Sequence, residues 1–152
     1  MKFIAHRGNT NGIQKEKENS IDYINNALDQ KFDVEIDVYF YKNNFWLGHD
    51  EPEFKINNLK LLNSNQVWIH AKNIEAAFKL VNMKSVKFFW HQNDDMTLTS
   101  NNFIWTYPNK KLSKNSICVL PEIQKNLKIK DLKNIYGICS DYVDYYRKKL
   151  VK

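Results

Sequence analysis

Short apolar segments that end in polar or ionisable residues recur along the chain. Most of them are continuously apolar rather than alternating, a pattern typical of strands buried on both faces of a parallel sheet. Seven segments share this pattern: 3–7, 34–38, 67–72, 86–91, 103–107, 117–122 and 135–141. The pattern therefore predicts seven strands that are mostly parallel.

Several of the intervals between these segments contain apolar residues at helical spacing. The first predicted helix covers residues 21–28, and Asn19 or Ser20 can cap its start. The second follows Asn73 as its N-cap and has apolar residues at the spacing i, i+3, i+4 and i+7. Its predicted buried face consists of Ile74, Ala77, Phe78 and Val81. Weaker patterns predict three further helices, at 56–62, 123–132 and 142–150.

Two other segments connect the predicted strands differently. Residues 38–41 and 45–48 flank the polar triplet Lys42-Asn43-Asn44, which predicts a β-hairpin. Residues 92–102 are mostly polar, and a complete crossover between parallel strands with its helix takes at least about ten residues. We therefore expect this segment to cross between strands without a helix.

Strands that alternate with helices predict an α/β fold with a largely parallel sheet. A complete (β/α)₈ barrel typically takes about 250 residues, whereas this chain has 152. The prediction is a contracted TIM-barrel-like (β/α) barrel of about seven mostly parallel strands, formed by residues 1–152 as one domain.

The composition excludes several other classes of protein. Hydrophobic residues make up 43% of the chain, enough for a packed core, so a disordered polar chain is excluded. Cys118 and Cys139 lie in apolar runs and are expected to be reduced core residues of a cytoplasmic protein. No apolar run reaches the ~18 residues of a transmembrane helix, and the start of the chain does not resemble a signal peptide. The net charge of +6 favours anionic partners, but no basic block indicates nucleic-acid binding.

Candidate chemistry lies at the ends of the first two predicted strands, where a parallel barrel gathers its functional groups. His6-Arg7-Gly8 supplies an imidazole for proton transfer and a guanidinium suited to phosphate. Glu35 and Asp37 are spaced i, i+2, so both carboxylates point to one face of their strand. Two buried carboxylates repel each other unless a cation neutralises them, and Mg²⁺ or Ca²⁺ prefers such oxygen ligands.

Two later segments add an imidazole each. His49 follows Gly48 at the end of the predicted hairpin, and His70 and Lys72 repeat the i, i+2 spacing on the third predicted strand. Residues 91–95, Trp105, Tyr107 and Glu122 follow or end later strands and are candidates for lining the same site. Imidazoles, carboxylates and cationic side chains together indicate a site for an anionic ester and a metal.

These residues resemble the glycerophosphodiester phosphodiesterase family, within the phosphatidylinositol-phospholipase-C-like superfamily. The residues 137–141 are similar to the closing barrel strand of that family. Four motifs in the first third of the chain carry the main resemblance, in the order of the family and near its spacing: His6-Arg7-Gly8, Glu18-Asn19-Ser20, Glu35-Ile36-Asp37 and His49-Asp50.

The resemblance implies a catalytic role for His6 and His49 as the acid/base pair, and for Glu35 and Asp37 as ligands of a divalent metal. At the position of His70 the family usually has a third metal-binding carboxylate. An imidazole there lowers the negative charge around the metal, which suits Mn²⁺ or Zn²⁺ better than Ca²⁺. Mg²⁺, Ca²⁺ and Mn²⁺ remain the candidate cofactors.

The resemblance also implies that Arg7 and Lys72 hold the phosphate of a small-molecule phosphodiester and that Glu18 supports the site by hydrogen bonding. Glycerophosphodiesters or related phospholipid headgroup esters are the implied substrates of a metal-dependent hydrolase. Two alternatives stay open: a catalytically weak or inactive phosphoester-binding module on the same fold, and a nuclease-like enzyme. The oligomeric state does not follow from the sequence.

Overall fold

The computed structural model describes residues 1–151 and has a mixed α/β architecture around one curled, mostly parallel sheet. Its strands are β1 (Lys2–His6), β2 (Asp33–Tyr41), β3 (Asn44–Leu47), β4 (Phe54–Lys55), β5 (Val67–Ala71), β6 (Phe88–Trp90), β7 (Met96–Leu98), β8 (Ile104–Thr106), β9 (Ser116–Val119) and β10 (Gly137–Ser140). Its α-helices are α1 (Ile21–Asp29), α2 (Ile74–Leu80) and α3 (Val143–Leu150), and single 3₁₀ turns cover Pro121–Ile123 and Ile129–Leu132.

The parallel part of the sheet has the order β6-β5-β2-β1-β10-β9-β8. These strands coincide with the seven segments predicted from the sequence, and all neighbouring strands in this order pair in parallel. The register places His6 beside Glu35 and Asp37 beside His70. The carboxyl ends of the central strands therefore bring the candidate site residues together.

The remaining strands are antiparallel additions. β3 pairs with residues 38–41 at the C-terminal end of β2 through the predicted hairpin, β4 pairs with β3, and β7 pairs with β8. The hairpin exit depends on Gly48, whose φ of +150° few other residues adopt. A Cβ atom on Gly48 would also overlap the carbonyl oxygen of Glu51.

The sheet curls enough to bring its outer parallel strands, β6 and β8, near each other. The rings of Phe89 on β6 and Trp105 on β8 stack with their centroids 4.5 Å apart. Thr97 of β7 donates a hydrogen bond from its hydroxyl to the carbonyl of Trp90 on β6, at 3.1 Å. The connection between β6 and β8 therefore lies between these strands and contacts both.

Strand alternation gives the sheet two different faces. On β2, Val34, Ile36 and Val38 pack in the cluster that also contains Ile24 of α1 and Leu80 of α2. The opposite face encloses a second cluster, contributed by six strands: Ile4, Trp68, Phe89, Trp105, Ile117, Val119 and Cys139. Above that cluster, at the carboxyl ends of the strands, the positions that point to the enclosed face can carry polar side chains.

The three predicted helices at 21–28, 74–81 and 142–150 form, with small changes at their ends. Asn73 caps α2, because its side chain accepts a hydrogen bond from the backbone of Ala76. The predicted buried face of α2 is wrong in part, since Phe78 and Val81 are 64% and 65% exposed. The helix instead buries Ala76 and Leu80, because it lies on the sheet with its other side.

The predicted helices at 56–62 and 123–132 are wrong. Residues 56–62 form irregular chain and turns, in which Ile56 and Leu62 are buried while Leu59 is 47% exposed. The side chain of Asn58 accepts a hydrogen bond from the backbone of Lys60, a local turn that competes with a helix. Residues 123–132 contain only 3₁₀ turns.

The described residues 92–102 contain no helix, as predicted, although strand β7 within them was not predicted. Among residues 1–151, no helix is long and apolar enough to cross a membrane.

Candidate active site

The eight residues that the sequence predicts for the site lie together on β1, β2 and β5 and in the loops that follow β1, β3 and β5. Six of them line one cavity of about 330 Å³: His6, Arg7, Glu35, His49, His70 and Lys72. Asp37 is completely buried beneath this cavity, where it contacts Arg7, His70 and Lys72. Glu18 lines a neighbouring cavity of about 300 Å³ that shares Arg7 and His49 with the first.

Glu35, Asp37 and His70 each offer one ligand atom within 4.8 Å of the others, so the described residues contain a candidate metal site. His70 Nδ1 is 3.1 Å from Asp37 Oδ1, and Lys72 Nζ is 3.5 Å from the same oxygen. Neither contact has hydrogen-bond geometry, so this buried oxygen lacks a hydrogen bond from the described part of the chain. Carboxylates suit Mg²⁺, Ca²⁺ and Mn²⁺, and an imidazole beside them suits Mn²⁺ or Zn²⁺ better than Ca²⁺, so the set fits a divalent cation.

The two carboxylates of this set differ in their electrostatic surroundings. Burial and the charge of Asp37 raise the pKa of Glu35, despite opposing charges at His6 and Arg7. Burial also acts to raise the pKa of Asp37, but the neighbouring imidazole and the charges of Arg7 and Lys72 hold that pKa well below its ordinary value. Asp37 therefore keeps a negative charge that the surrounding cations balance.

Arg7 is held in place by carboxylates on two sides. Its Nη1 donates to Glu18 Oε2 at 3.1 Å, and its Nε lies 2.9 Å from Asp37 Oδ2. The backbone of Arg7 has a φ of 53°, in the left-handed region, and its N–H donates to the carbonyl of Glu35 at 3.0 Å. Burial opposes the charge on Arg7, but Asp37 and Glu35 outweigh burial and raise its pKa. A fixed guanidinium in this position is suited to an anionic ligand.

Asn19 fixes Asp37, a role that sequence reasoning missed: Asn19 was considered as a helix cap and as part of the motif Glu18-Asn19-Ser20, but only Glu18 of that motif was given a role in the site. Its side-chain Nδ2 donates to Asp37 Oδ2, and its Oδ1 accepts from the backbone N–H of Asp37, both at 3.0 Å. The N-cap position of α1 belongs to Ser20. The φ of 59° at Asn19 turns its side chain toward β2, a conformation that asparagine tolerates better than most residues.

Asp141 orients His6 and was also missed as a site residue. His6 Nδ1 lies 2.7 Å from Asp141 Oδ1, while His6 Nε2 lies 3.9 Å from Glu35 Oε2. The side chain of Asn9 donates hydrogen bonds to Asp141 at 2.9 Å and to Glu18 at 2.8 Å. It therefore links the carboxylate that holds His6 to the carboxylate that holds Arg7. Burial lowers the pKa of His6, but the hydrogen bond to Asp141 and the charge of Glu35 reverse this and raise it.

His49 occupies a more exposed position in the cavity than His6 does. Its side chain is 40% exposed, its Nδ1 lies 2.7 Å from the exposed Asp50 Oδ1, and its carbonyl accepts a hydrogen bond from Tyr39. Partial burial and the charge of Arg7 lower the pKa of His49, despite the opposing effect of Asp37. The two candidate catalytic imidazoles therefore have pKa values shifted in opposite directions.

The far wall of the cavity comes from later strand ends. His91, Gln92, Trp105 and Tyr107 line it, as the position of these residues at strand ends suggested. Glu122 takes a supporting place instead, because its carboxylate accepts hydrogen bonds from the Ser140 hydroxyl and the Asp141 backbone.

No family model matches this sequence, and searches of curated proteins and of solved structures found no significant match. The functional interpretation therefore rests on the geometry of the site and on the resemblance of its motifs.

Proposed function

We propose that the protein is a metal-dependent phosphodiester hydrolase that acts on glycerophosphodiesters or related phospholipid headgroup esters. One observation carries the proposal: a single cavity is lined by the candidate acid/base pair His6 and His49, by the cations Arg7 and Lys72, and by two members of the candidate metal set. Cations alone would suffice to bind a phosphoester. Two imidazoles, one of them oriented by the buried carboxylate of Asp141, favour proton transfer over binding alone.

The opposite pKa shifts of the two imidazoles support a division of their roles. The raised pKa of His6 keeps it protonated to a higher pH, which suits a general acid that protonates the leaving alkoxide. The lowered pKa of His49 keeps it neutral, which suits a general base that takes the proton of the attacking hydroxyl. Because Asp141 contacts Nδ1 of His6, Nε2 is the nitrogen available for proton transfer.

The cations and carboxylates provide binding and charge balance. Glu35, Asp37 and His70 would hold the divalent cation, and Arg7 and Lys72 would attract and orient the anionic ester. When bound, the cation neutralises phosphate charge and stabilises the charge that develops in the transition state. Glu18 supports this site indirectly, since it holds the guanidinium of Arg7.

We further propose that the curled sheet is a contracted (β/α) barrel, in which the connection after β6 replaces the missing strand and helix. The contacts of β7 with both β6 and β8 support this. A cluster of apolar side chains from six strands on the enclosed face supports it as well, since small barrels fill their interior with side chains.

A metal-supplemented hydrolysis assay tests the function. The wild-type protein is supplied with Mg²⁺, Ca²⁺ or Mn²⁺ and a panel of glycerophosphodiesters, lysophospholipids and an aryl phosphodiester. We expect turnover that EDTA removes and added metal restores. Absence of turnover with every metal and substrate class would refute the proposal.

Isothermal titration calorimetry tests the metal set separately. Glu35→Gln and Asp37→Asn should each weaken binding of Mn²⁺ by at least about tenfold, because even the loss of a residue that only supports a metal ligand typically costs about 10–100-fold in affinity. Glu53→Gln is the matched control, since Glu53 is an exposed carboxylate in the neighbouring cavity. Equal affinity in the wild type and Asp37→Asn would refute the assignment of the ligands.

A further inference from the structure

Buried polar atoms without partners are concentrated at the candidate site. Residues 1–151 contain five buried side-chain polar atoms without a hydrogen-bond partner, and four belong to the cavity wall or to Asp37 beneath it: Arg7 Nε, Asp37 Oδ1, His91 Nδ1 and Tyr107 Oη. The first two lie near oppositely charged groups: Arg7 Nε is 2.9 Å from Asp37 Oδ2, and Asp37 Oδ1 is 3.5 Å from Lys72 Nζ. No described residue forms an ion pair with His91 or Tyr107.

The unpaired atoms of His91 and Tyr107 belong to one structural unit. The two rings stack with their centroids 3.7 Å apart and an interplanar angle of 23°. Both residues line the same cavity as His6 and Lys72. Burying a polar atom without a partner is unfavourable, so two such atoms in residues that line one cavity favour a ligand that supplies their partners.

We propose that His91 and Tyr107 form a hydroxyl-binding pair that selects phosphodiesters with a free hydroxyl on one of their alcohols. The inference rests on the proposed function, since it takes the cavity as the phosphodiester site. His91 and Tyr107 act as specificity-determining residues, separate from the acid/base pair and from the metal ligands.

The chemistry of the two side chains matches a neutral hydroxyl group. Burial and the charge of Glu35 raise the pKa of Tyr107 far above its ordinary value, so its phenol remains a hydrogen-bond donor at neutral pH. Nδ1 of His91 is buried without a hydrogen-bond partner, and a neutral imidazole has one accepting nitrogen that can take a hydrogen bond from a ligand. A ligand hydroxyl can accept from Tyr107 and donate to His91 at once. A phosphate oxygen can only accept, and an ammonium can only donate.

The surrounding wall suits the carbon frame of an alcohol. Trp105, Pro108, Val119 and Leu120 line the cavity on this side, whereas Arg7 and Lys72 line it at the phosphate-binding side. An ammonium group cannot accept a hydrogen bond from the Tyr107 hydroxyl, so a neutral polyol fits this pair better than an amino alcohol.

Ligand binding tests this pair without relying on turnover. Glycerol 3-phosphate and propyl phosphate share a phosphate and a three-carbon frame, but only the first has free hydroxyls. We expect the wild type to bind glycerol 3-phosphate about tenfold more tightly in calorimetry, the usual effect of two net hydrogen bonds. Tyr107→Phe and His91→Phe keep a stacked ring pair, and each should reduce the preference to about threefold or less.

Tyr136→Phe is the matched control, because Tyr136 stacks on Phe103 at 3.5 Å and 19° but lies outside the residues that line the cavity. It should keep the full preference. Three results would refute the proposal that His91 and Tyr107 bind a hydroxyl group. They are equal binding of the two phosphates by the wild type, no binding of either phosphate, and an unchanged preference in both ring variants. The comparison within the wild type remains decisive if a variant fails to fold.

Failure of the proposed function gives a different result. A clear preference for glycerol 3-phosphate without any hydrolysis would leave the hydroxyl-binding pair intact and refute the enzyme. Hydrolysis without a preference would refute the pair alone.

Discussion

Replacing Asp141 by asparagine tests how much the folded protein depends on the contact with His6. Asp141 Oδ1 lies 2.7 Å from His6 Nδ1, and the side chains are only 7% and 13% exposed. An amide of the same size can still accept a hydrogen bond, but it carries no charge. A hydrogen bond to a charged group contributes about 1.5–3 kcal/mol and a neutral one about 0.5–1.5. Asp141→Asn should therefore lower the free energy of unfolding by about 1–2 kcal/mol.

The loss should depend on pH in a defined direction. The pKa of His6 is raised, since the hydrogen bond to Asp141 and the charge of Glu35 overcome the effect of burial. The contribution of His6 to the stability of the folded protein is therefore complete below the pKa of this residue in the unfolded chain, near 6.5. It disappears as the pH rises through the higher pKa that His6 has in the folded state. The pKa of Asp141 is lowered, because its contact with His6 overcomes burial, so its own contribution is present above about pH 3.9. The gap between wild type and variant, meaning the difference in their free energies of unfolding, should therefore be larger near pH 6 than near pH 9.

Urea denaturation of both proteins in EDTA measures this gap across the pH range. Asp50→Asn is the control, because Asp50 lies the same 2.7 Å from His49 but is 93% exposed. An exposed pair of this kind contributes little to stability. A gap for Asp141→Asn that does not change with pH, or an equal loss in Asp50→Asn, would refute the reasoning.

Three further predictions concern the scaffold. Gly48→Ala should destabilise the protein by about 1–3 kcal/mol, because a Cβ atom at φ +150° would overlap the carbonyl of Glu51; an unchanged melting temperature would contradict this. Asn73→Ala should lower the free energy of unfolding in urea by about 1–3 kcal/mol, because it removes the cap on α2 and two hydrogen bonds to the backbone of Phe40; a stability equal to wild type would contradict this. Cys118, whose pKa burial raises to about 11, and Cys139, whose pKa burial also raises, should react with a thiol reagent only on unfolding. Rapid modification of either thiol in the native protein would contradict their burial.

Sequence periodicity was sufficient to predict the central strands and the grouping of Glu35, Asp37 and His70 on one face of the sheet. On β2, apolar and acidic residues alternate, so Glu35 and Asp37 share a face that opposes Ile36. The same alternation on β5 puts His70 on the matching face, and the parallel register then places it beside Asp37. Side-chain direction along a strand follows from the period of two, which needs no tertiary information.

The supporting residues could not be predicted in the same way. Asp141 is 135 positions from His6 along the chain, and their contact depends on β1 and β10 being neighbours in the sheet. Asn19 reaches Asp37 only because its backbone adopts a positive φ in the loop before α1. The exposure of Phe78 depends on which side of α2 meets the sheet, and helical spacing alone does not determine that side.

Steady-state kinetics of His6→Ala and His49→Ala, with folded fractions measured by circular dichroism, tests the central claim most directly. Both imidazoles line the cavity that would hold the phosphodiester, and each is assigned one proton transfer. Loss of either group should reduce kcat on a glycerophosphodiester by about 10²–10⁴-fold, the usual effect of general acid–base catalysis, and should leave Mn²⁺ affinity nearly unchanged. A folded variant of either histidine that keeps more than about a tenth of the wild-type turnover would contradict two-histidine catalysis at this site.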